Sequence, residues 1–264
     1  MRLKMRLSAE NINFEINGKS ILKNVSFSFA EGKRTGIIGA NGAGKSTLLK
    51  ILCLLNKKFT GEVKIDGEDI KKISRRQLAQ MIAILTQERD VPLDTTVRQL
   101  TSYGRFPHRG LFDRGNAKED ITAVNWALEV TQMTKLENRQ VSSLSGGERQ
   151  RAWLSMTLAQ RPKILLLDEP TTYLDIKHQL EVMNIISDVN KRYGMTIIMV
   201  LHDLNQARMF TDELIVINNQ TIFQHGNPRT ILNADLIKEV FGVKTEIFKN
   251  DRNEIILLPI EVEK

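Results

Sequence analysis

The nine residues Gly39 to Thr47, GANGAGKST, leave few folds open to this chain. They match the pattern G-x-x-x-x-G-K-[ST], in which a glycine-rich loop points successive backbone N–H groups at an anion. Such a loop works only between a strand that delivers it and a helix whose N-terminus adds partial positive charge. The run TGIIG precedes it and STLLKIL follows, so a strand–loop–helix unit is expected here. Gly39, Asn41, Gly42, Ala43, Gly44, Lys45, Ser46 and Thr47 become candidate contacts to the phosphates of a nucleotide. Lys45 is placed to reach the β- and γ-phosphates, and the Ser46 hydroxyl to ligate Mg²⁺.

Further short apolar runs read as strands: GEVKIDG, MIAILTQ, KILLLDEP, TIIMVLH and LIVIN. Several are continuously apolar over four or five residues, as in strands covered on both faces. Helical patterns lie among them in KSTLLKILCLL, SRRQLAQM, DIKHQLEVMNIISDVNKRYG and LNQARMFTD. Strands alternating with helices predict a mostly parallel α/β sheet. From Glu88 to Gln160 no buried strand is found. There KEDITAVNWALEVTQM sets Ile121, Val124 and Leu128 at helical spacing, so 88–160 reads as an inserted helical subdomain. The core would then be 1–87 with 161–264. From about 221 it would carry one capped helix, NPRTILNADLIKEVFG, and a closing hairpin around KNDRN.

Composition narrows the class. The apolar runs are too short to span a bilayer, and the basic start MRLKMRLSAE lacks the apolar stretch of a signal peptide, so a cytoplasmic protein is expected. Cys53 is the one cysteine, which excludes an intrachain disulfide, and it sits in an apolar helical run as a small core residue. The net charge of +7 suits nucleic acid, an anionic membrane surface or a free nucleotide, and its scatter decides between none of them.

A phosphate loop with Mg²⁺ requires a carboxylate. KILLLDEP supplies Asp168 at a strand end for the metal, and Glu169 as a candidate general base. A second glycine-rich helix start follows the pattern S-x-x-E, from Ser145 to Glu148. Ser145, Gly146 and Gly147 offer bare N–H groups at a helix N-terminus but no lysine. Alone, SGGE would be an ordinary helix cap; beside the first loop it looks like half of a phosphate cage completed elsewhere.

LSGGERQR resembles the signature sequence of the ATP-binding-cassette ATPases, and other motifs of that family follow in order over roughly residues 7 to 240. Gln87 stands where the family has its Q-loop glutamine, TTYLD where it has the D-loop, and His202 where it has the switch histidine. The resemblance implies a P-loop NTPase with a RecA-like parallel core, an antiparallel β region and an inserted helical subdomain. It implies ATP and Mg²⁺ held at Lys45, Ser46, Gln87 and Asp168, with hydrolysis by Glu169, Gln87 and His202. It also implies two copies packed head to tail, Ser145 and Gly147 touching the γ-phosphate on the other copy's Lys45, and Asp175 coupling the sites. An aromatic usually stacks on adenine from the position that Ile16 holds, with Phe14 two residues earlier; stacking is left open, and Ile16 gives apolar contact.

Such an ATPase drives a load. A nucleic-acid machine of this family usually carries a long coiled coil or a zinc insertion, and a ribosome factor typically two cassettes in one chain; one cysteine, no heptad run and one cassette leave these as the weaker alternatives. Membrane permease subunits are therefore the expected partners, with an extracytoplasmic binding protein acting indirectly, no nucleic acid, and a place on the cytoplasmic face of the membrane. GRFPH, SLSGGERQRAW and TTYLDIKHQ resemble the ATPases of iron–siderophore importers, a group that includes haem and cobalamin importers. Thr86–Arg89 and Tyr103–His108 are the expected dock for the permease's coupling helices; a helix end broken by Pro107 would explain GRFPH as well.

Overall fold

The computed structural model describes residues 6–87, 92, 94–109, 117–251 and 255–262. They divide into two compact units, one of 1–67 with 198–264 and the other of 68–197.

In the first unit, β1 (Leu7–Ile16) turns back into β2 (Lys19–Phe29) through Asn17 and Gly18, both at positive φ, a turn chemistry that matches the twist of a hairpin. β4 (Thr60–Ile65) pairs antiparallel with the other edge of β1. GEVKIDG, read in the sequence as a strand, belongs to the antiparallel β region. Its alternation explains this: Val63 and Ile65 are buried while Glu62 is exposed, the mark of a strand with one wet face. A second sheet carries β3 (Arg34–Gly39) beside and parallel to β9 (Glu213–Asn218), with β10 (Thr221–Gly226) antiparallel at its edge. Ile37, Ile38 and Leu214 to Ile217 are fully buried, as strands covered on both faces require. α1 (Lys45–Leu52) leaves the loop after β3. It ends at Cys53, whose thiol burial pushes up to about 11, so this cysteine is an inert packing residue.

The run NPRTILNADLIKEVFG is two helices rather than one, α8 (Pro228–Ile231) and α9 (Ala234–Phe241). Asn233 is the reason: its side chain accepts the Leu236 N–H and starts a new helix where the old one stops. Gly242, at φ 65, closes α9. β11 (Val243–Lys249) and β12 (Ile255–Val262) form the expected hairpin. It is tied by two hydrogen bonds between Asn205 and the Leu257 backbone to α7 (Leu204–Phe210).

The second unit opens with the two-residue strand β5 (Glu68–Asp69) and α2 (Arg75–Met81). Its β6 (Ile82–Leu85) runs parallel to β7 (Ile164–Asp168), whose five residues are all buried. α6 (Ile176–Tyr193) leads to β8 (Thr196–Val200), within which the division of the chain falls. Between β6 and β7, α3 (Val97–Tyr103), α4 (Ala117–Val130) and α5 (Gly146–Ala159) share a core of their own. Val97, Leu100, Val124, Leu128, Val141 and Ala152 belong to it. One expected core residue is misplaced: Ile121 is 56% exposed, and the buried face of α4 runs through Ala123, Val124, Ala127 and Leu128.

The sequence GRFPH knots these helices together. Gly104 ends α3 against the Met156 carbonyl, which a Cβ there would meet at 2.0 Å. Arg105 is buried, donating to Asp120 at 2.8 Å and to the Ala159 carbonyl at 2.9 Å. Burial raises the Asp120 carboxyl, but the bonds from Arg105 and Arg109 outweigh it and hold the group below the usual carboxylate range. His108 Nε2 meets the Gln160 carbonyl at 2.8 Å, and Arg76 and Gln80 both donate to the Pro107 carbonyl.

Candidate nucleotide site

The phosphate loop lies in the first unit and takes its shape from close backbone approaches. A Cβ at Gly39 would stand 2.2 Å from the Ile217 carbonyl of β9. Gly44, at φ 94, begins α1 where a Cβ would press on Leu22 at 2.7 Å and on the Ile21 carbonyl at 2.9 Å. Glycine at these two positions is therefore a steric need of the loop as well as access for a phosphate. Lys45 is only 5% exposed, and its Nζ donates to the Gly39 and Ala40 carbonyls at 2.9 Å each. The ammonium is thus folded over the loop it serves, a buried charge held by peptide dipoles. Asn41 and Gly42 are exposed, and Ala43, Ser46 and Thr47 are half-buried along the same rim. Ile16 ends β1 at 48% exposure, whereas Phe14 is buried in the core beneath it. His202 is exposed just before α7, whose start is capped by Asp203 accepting the Asn205 and Gln206 N–H groups.

The second unit holds the carboxylates. Asp168 ends β7 at 2% exposure. Glu169 follows at φ 51, an uncommon conformation for a residue with a Cβ, which turns the chain sharply out of the strand. Its Oε2 accepts from Gln87 Nε2 at 3.2 Å and from Thr172 Oγ1 at 3.0 Å. Gln87 and Glu169, two residues picked out separately in the sequence, are hydrogen-bonded partners. In the expected dock, Thr86 is described; Glu88 and Arg89 lie outside the described residues.

Ser145 caps α5 as its pattern predicts: Glu148 N–H bonds to Ser145 Oγ at 3.3 Å, and Glu148 returns to Ser145 N–H at 2.9 Å. The Ser145 N–H leads the causes that hold the Glu148 carboxyl below its ordinary range. Asp175 caps α6 through the His178 N–H, and its carboxyl is likewise held low by that bond and by the His178 ring. Sequence reasoning missed three residues that fasten this region. Gln150 donates to the Pro170 carbonyl, Arg151 pairs with Glu181, and the His178 ring packs on Gly147. The first two lie on a helix with little apolar periodicity, so nothing in their spacing marks them.

The first unit offers the Ser46 hydroxyl and the second the Gln87 amide oxygen and the Asp168 carboxylate, each an oxygen donor of the kind that Mg²⁺ selects. Among the described residues no helix is long and apolar enough to cross a membrane.

Comparison with known proteins places the chain in a family. A family model described as "ABC transporter" matches residues 22–172. The chain is 43% identical to the petrobactin import ATP-binding protein of Bacillus anthracis, over 92% of this chain and 89% of that one. It is 42% identical to the iron(3+)-hydroxamate import ATP-binding protein of Bacillus subtilis, over 93% of this chain and 91% of that one. Among solved structures, a dimeric ATP-binding cassette in a post-hydrolysis state with ADP and phosphate superposes with a TM-score of 0.72. It is 28% identical, with 85% of this chain and all of that chain covered.

Proposed function

This chain belongs to the ABC transporter family as an ATP-binding subunit with ATPase activity, and on that premise we propose that it energises uptake of iron(III)–siderophore complexes through separate permease subunits. The observation that carries the reading is a likeness of 42–43% to two iron-chelate import subunits over nine-tenths of the chain. Haem and cobalamin importers are the alternative loads.

Two copies assemble head to tail, in an isologous arrangement where each nucleotide site is shared. Lys45 binds the β- and γ-phosphates of ATP, and the loop from Gly39 to Thr47 surrounds them with N–H groups. Ser46, Gln87 and Asp168 would hold Mg²⁺, which when bound would draw charge off the phosphate oxygens. Ser145, Gly146 and Gly147 of the partner copy close on the γ-phosphate, contacts made only in the closed dimer, so nucleotide favours closure. Glu169 takes the proton of the water that attacks the γ-phosphorus, His202 aligns that water, and the bond to ADP breaks. Two features support these roles: the paired Gln87 and Glu169, and a second glycine-rich helix start that carries no lysine. Ile16 offers the adenine an apolar surface.

For function the division is 1–87 with 161–264 for nucleotide, and 88–160 for signature and docking. The independent helical core supports it. Thr86–Arg89 and Tyr103–His108 receive the permease's coupling helices at the cytoplasmic face of the membrane. Phe106, 57% exposed and stacked on Tyr103 at 5.3 Å, supports that dock.

Cells lacking this chain test the load. Uptake of radiolabelled iron as a hydroxamate siderophore should stop, and return with the wild-type chain but not with Lys45→Ala. Intact iron uptake, or loss of cobalamin uptake in its place, would refute the assignment.

A further inference from the structure

Within the second unit the signature helix α5 and the segment after β7 are joined at three points. Gln150 Nε2 donates to the Pro170 carbonyl, one residue past Glu169. Arg151 pairs with Glu181 on α6. The third is a steric fit: a Cβ on Gly147 would fall 2.2 Å from His178 Cδ2 and 2.4 Å from its Cγ. The same imidazole turns its Nδ1 to Asp175, 2.8 Å from both carboxylate oxygens. A carboxylate only accepts, so the tautomer with hydrogen on Nδ1 is the one that fits. His178 thus touches the signature motif with one edge of its ring and holds the D-loop aspartate with another.

The position matters because the two motifs serve different ATP molecules in a shared-site dimer. Ser145 to Gly147 face the nucleotide on the partner, while the segment from Glu169 to Asp175 follows the base of the subunit's own site. We propose that His178 is a positioning residue that locks Asp175 to the signature turn, so that closure on one nucleotide sets the geometry at the other. The proposal rests on the shared-site reading above. It accounts for the second glycine of the signature in this chain without appeal to phosphate: Gly147 must be bare because the imidazole occupies the space its side chain would need. It also separates His178 from an ordinary helix cap. The cap needs only Asp175 and the His178 backbone N–H, and that bond survives any side chain at 178.

The test uses the full-length protein, ATP hydrolysis measured against ATP concentration, and two variants. His178→Phe keeps a ring over Gly147 and loses the donor to Asp175. His178→Asn restores a donor near the Nδ1 position. The wild type should be cooperative, with a Hill coefficient above one for its two sites. In His178→Phe, kcat should fall roughly tenfold or more, the usual order for a misaligned reacting group. Its Hill coefficient should drop to one, with KM for ATP and the melting temperature little changed. His178→Asn should recover much of both losses; a purely structural role would move the melting temperature alone. If His178→Phe melts early, His178→Ala takes its place. Unchanged kcat and cooperativity in the donor-less variant, or an asparagine variant no better than it, would overturn the proposal. A wild type that hydrolyses ATP with a Hill coefficient of one would instead overturn the shared-site reading, and the proposal with it.

Discussion

Lys45→Ala is expected to abolish nucleotide binding and hydrolysis for practical purposes. The ammonium is the loop's only side-chain cation, and it is already buried against the Gly39 and Ala40 carbonyls. Hydrogen bonds to charged groups contribute about 1.5–3 kcal/mol each. Losing contacts to two phosphates therefore costs about 3–6 kcal/mol, roughly a hundredfold to ten-thousandfold in affinity. Removing the ammonium also frees two loop carbonyls that it now satisfies. Titration calorimetry with ATP, followed by a phosphate-release assay, reads both effects. Hydrolysis near the wild-type rate would remove this loop from the active site.

The second large effect separates binding from chemistry. Glu169→Gln keeps the side chain's shape and an oxygen that can still accept from Thr172. It removes the capacity to take a proton from water. A general base contributes about a hundredfold to ten-thousandfold, so turnover should fall by that order while ATP still binds. With hydrolysis blocked and the closed-state contacts intact, ATP should hold two copies together on a sizing column where ADP does not. Full-rate turnover by this variant would mean that another group is the base.

The nucleotide loop, the capping box and the parallel strands could be read from the sequence because each is local. GANGAGKST and SGGE act through spacing alone, and TGIIG, ILLLD and TIIMV are runs with no polar face. What the sequence hid were long-range and mixed signals. The first two strands form an antiparallel hairpin whose one clear marker, Asn17-Gly18 at positive φ, sits between half-polar runs. Ile121 fits the helical spacing of Val124 and Leu128, yet it lies on the exposed side, because Asp120 faces inward to meet Arg105. An ion pair reversed the reading that hydrophobicity favoured. Asn233 reads equally well as a surface residue within one helix or as the cap of another. In the site, Gln87 and Glu169 were each recognisable, but their bond joins residues that β6 and β7 bring side by side. The fastening of Gly147 by His178 has no marker in spacing at all.

The central claim is that each ATP site is made from the Lys45 of one copy and the Ser145 of the other. It is tested most directly by mixing two inactive proteins, both carrying Glu169→Gln so that nucleotide stays trapped. One also carries Lys45→Ala, and the other carries Ser145→Arg, which fills the signature side of the cage. Each alone should retain no labelled ATP after rapid desalting. Mixed, they should retain one ATP per mixed dimer, because the Lys45 of the second protein meets the Ser145 of the first. If the mixture traps no more nucleotide than its components, the two glycine-rich motifs do not share a site across two copies, and the account fails at its centre.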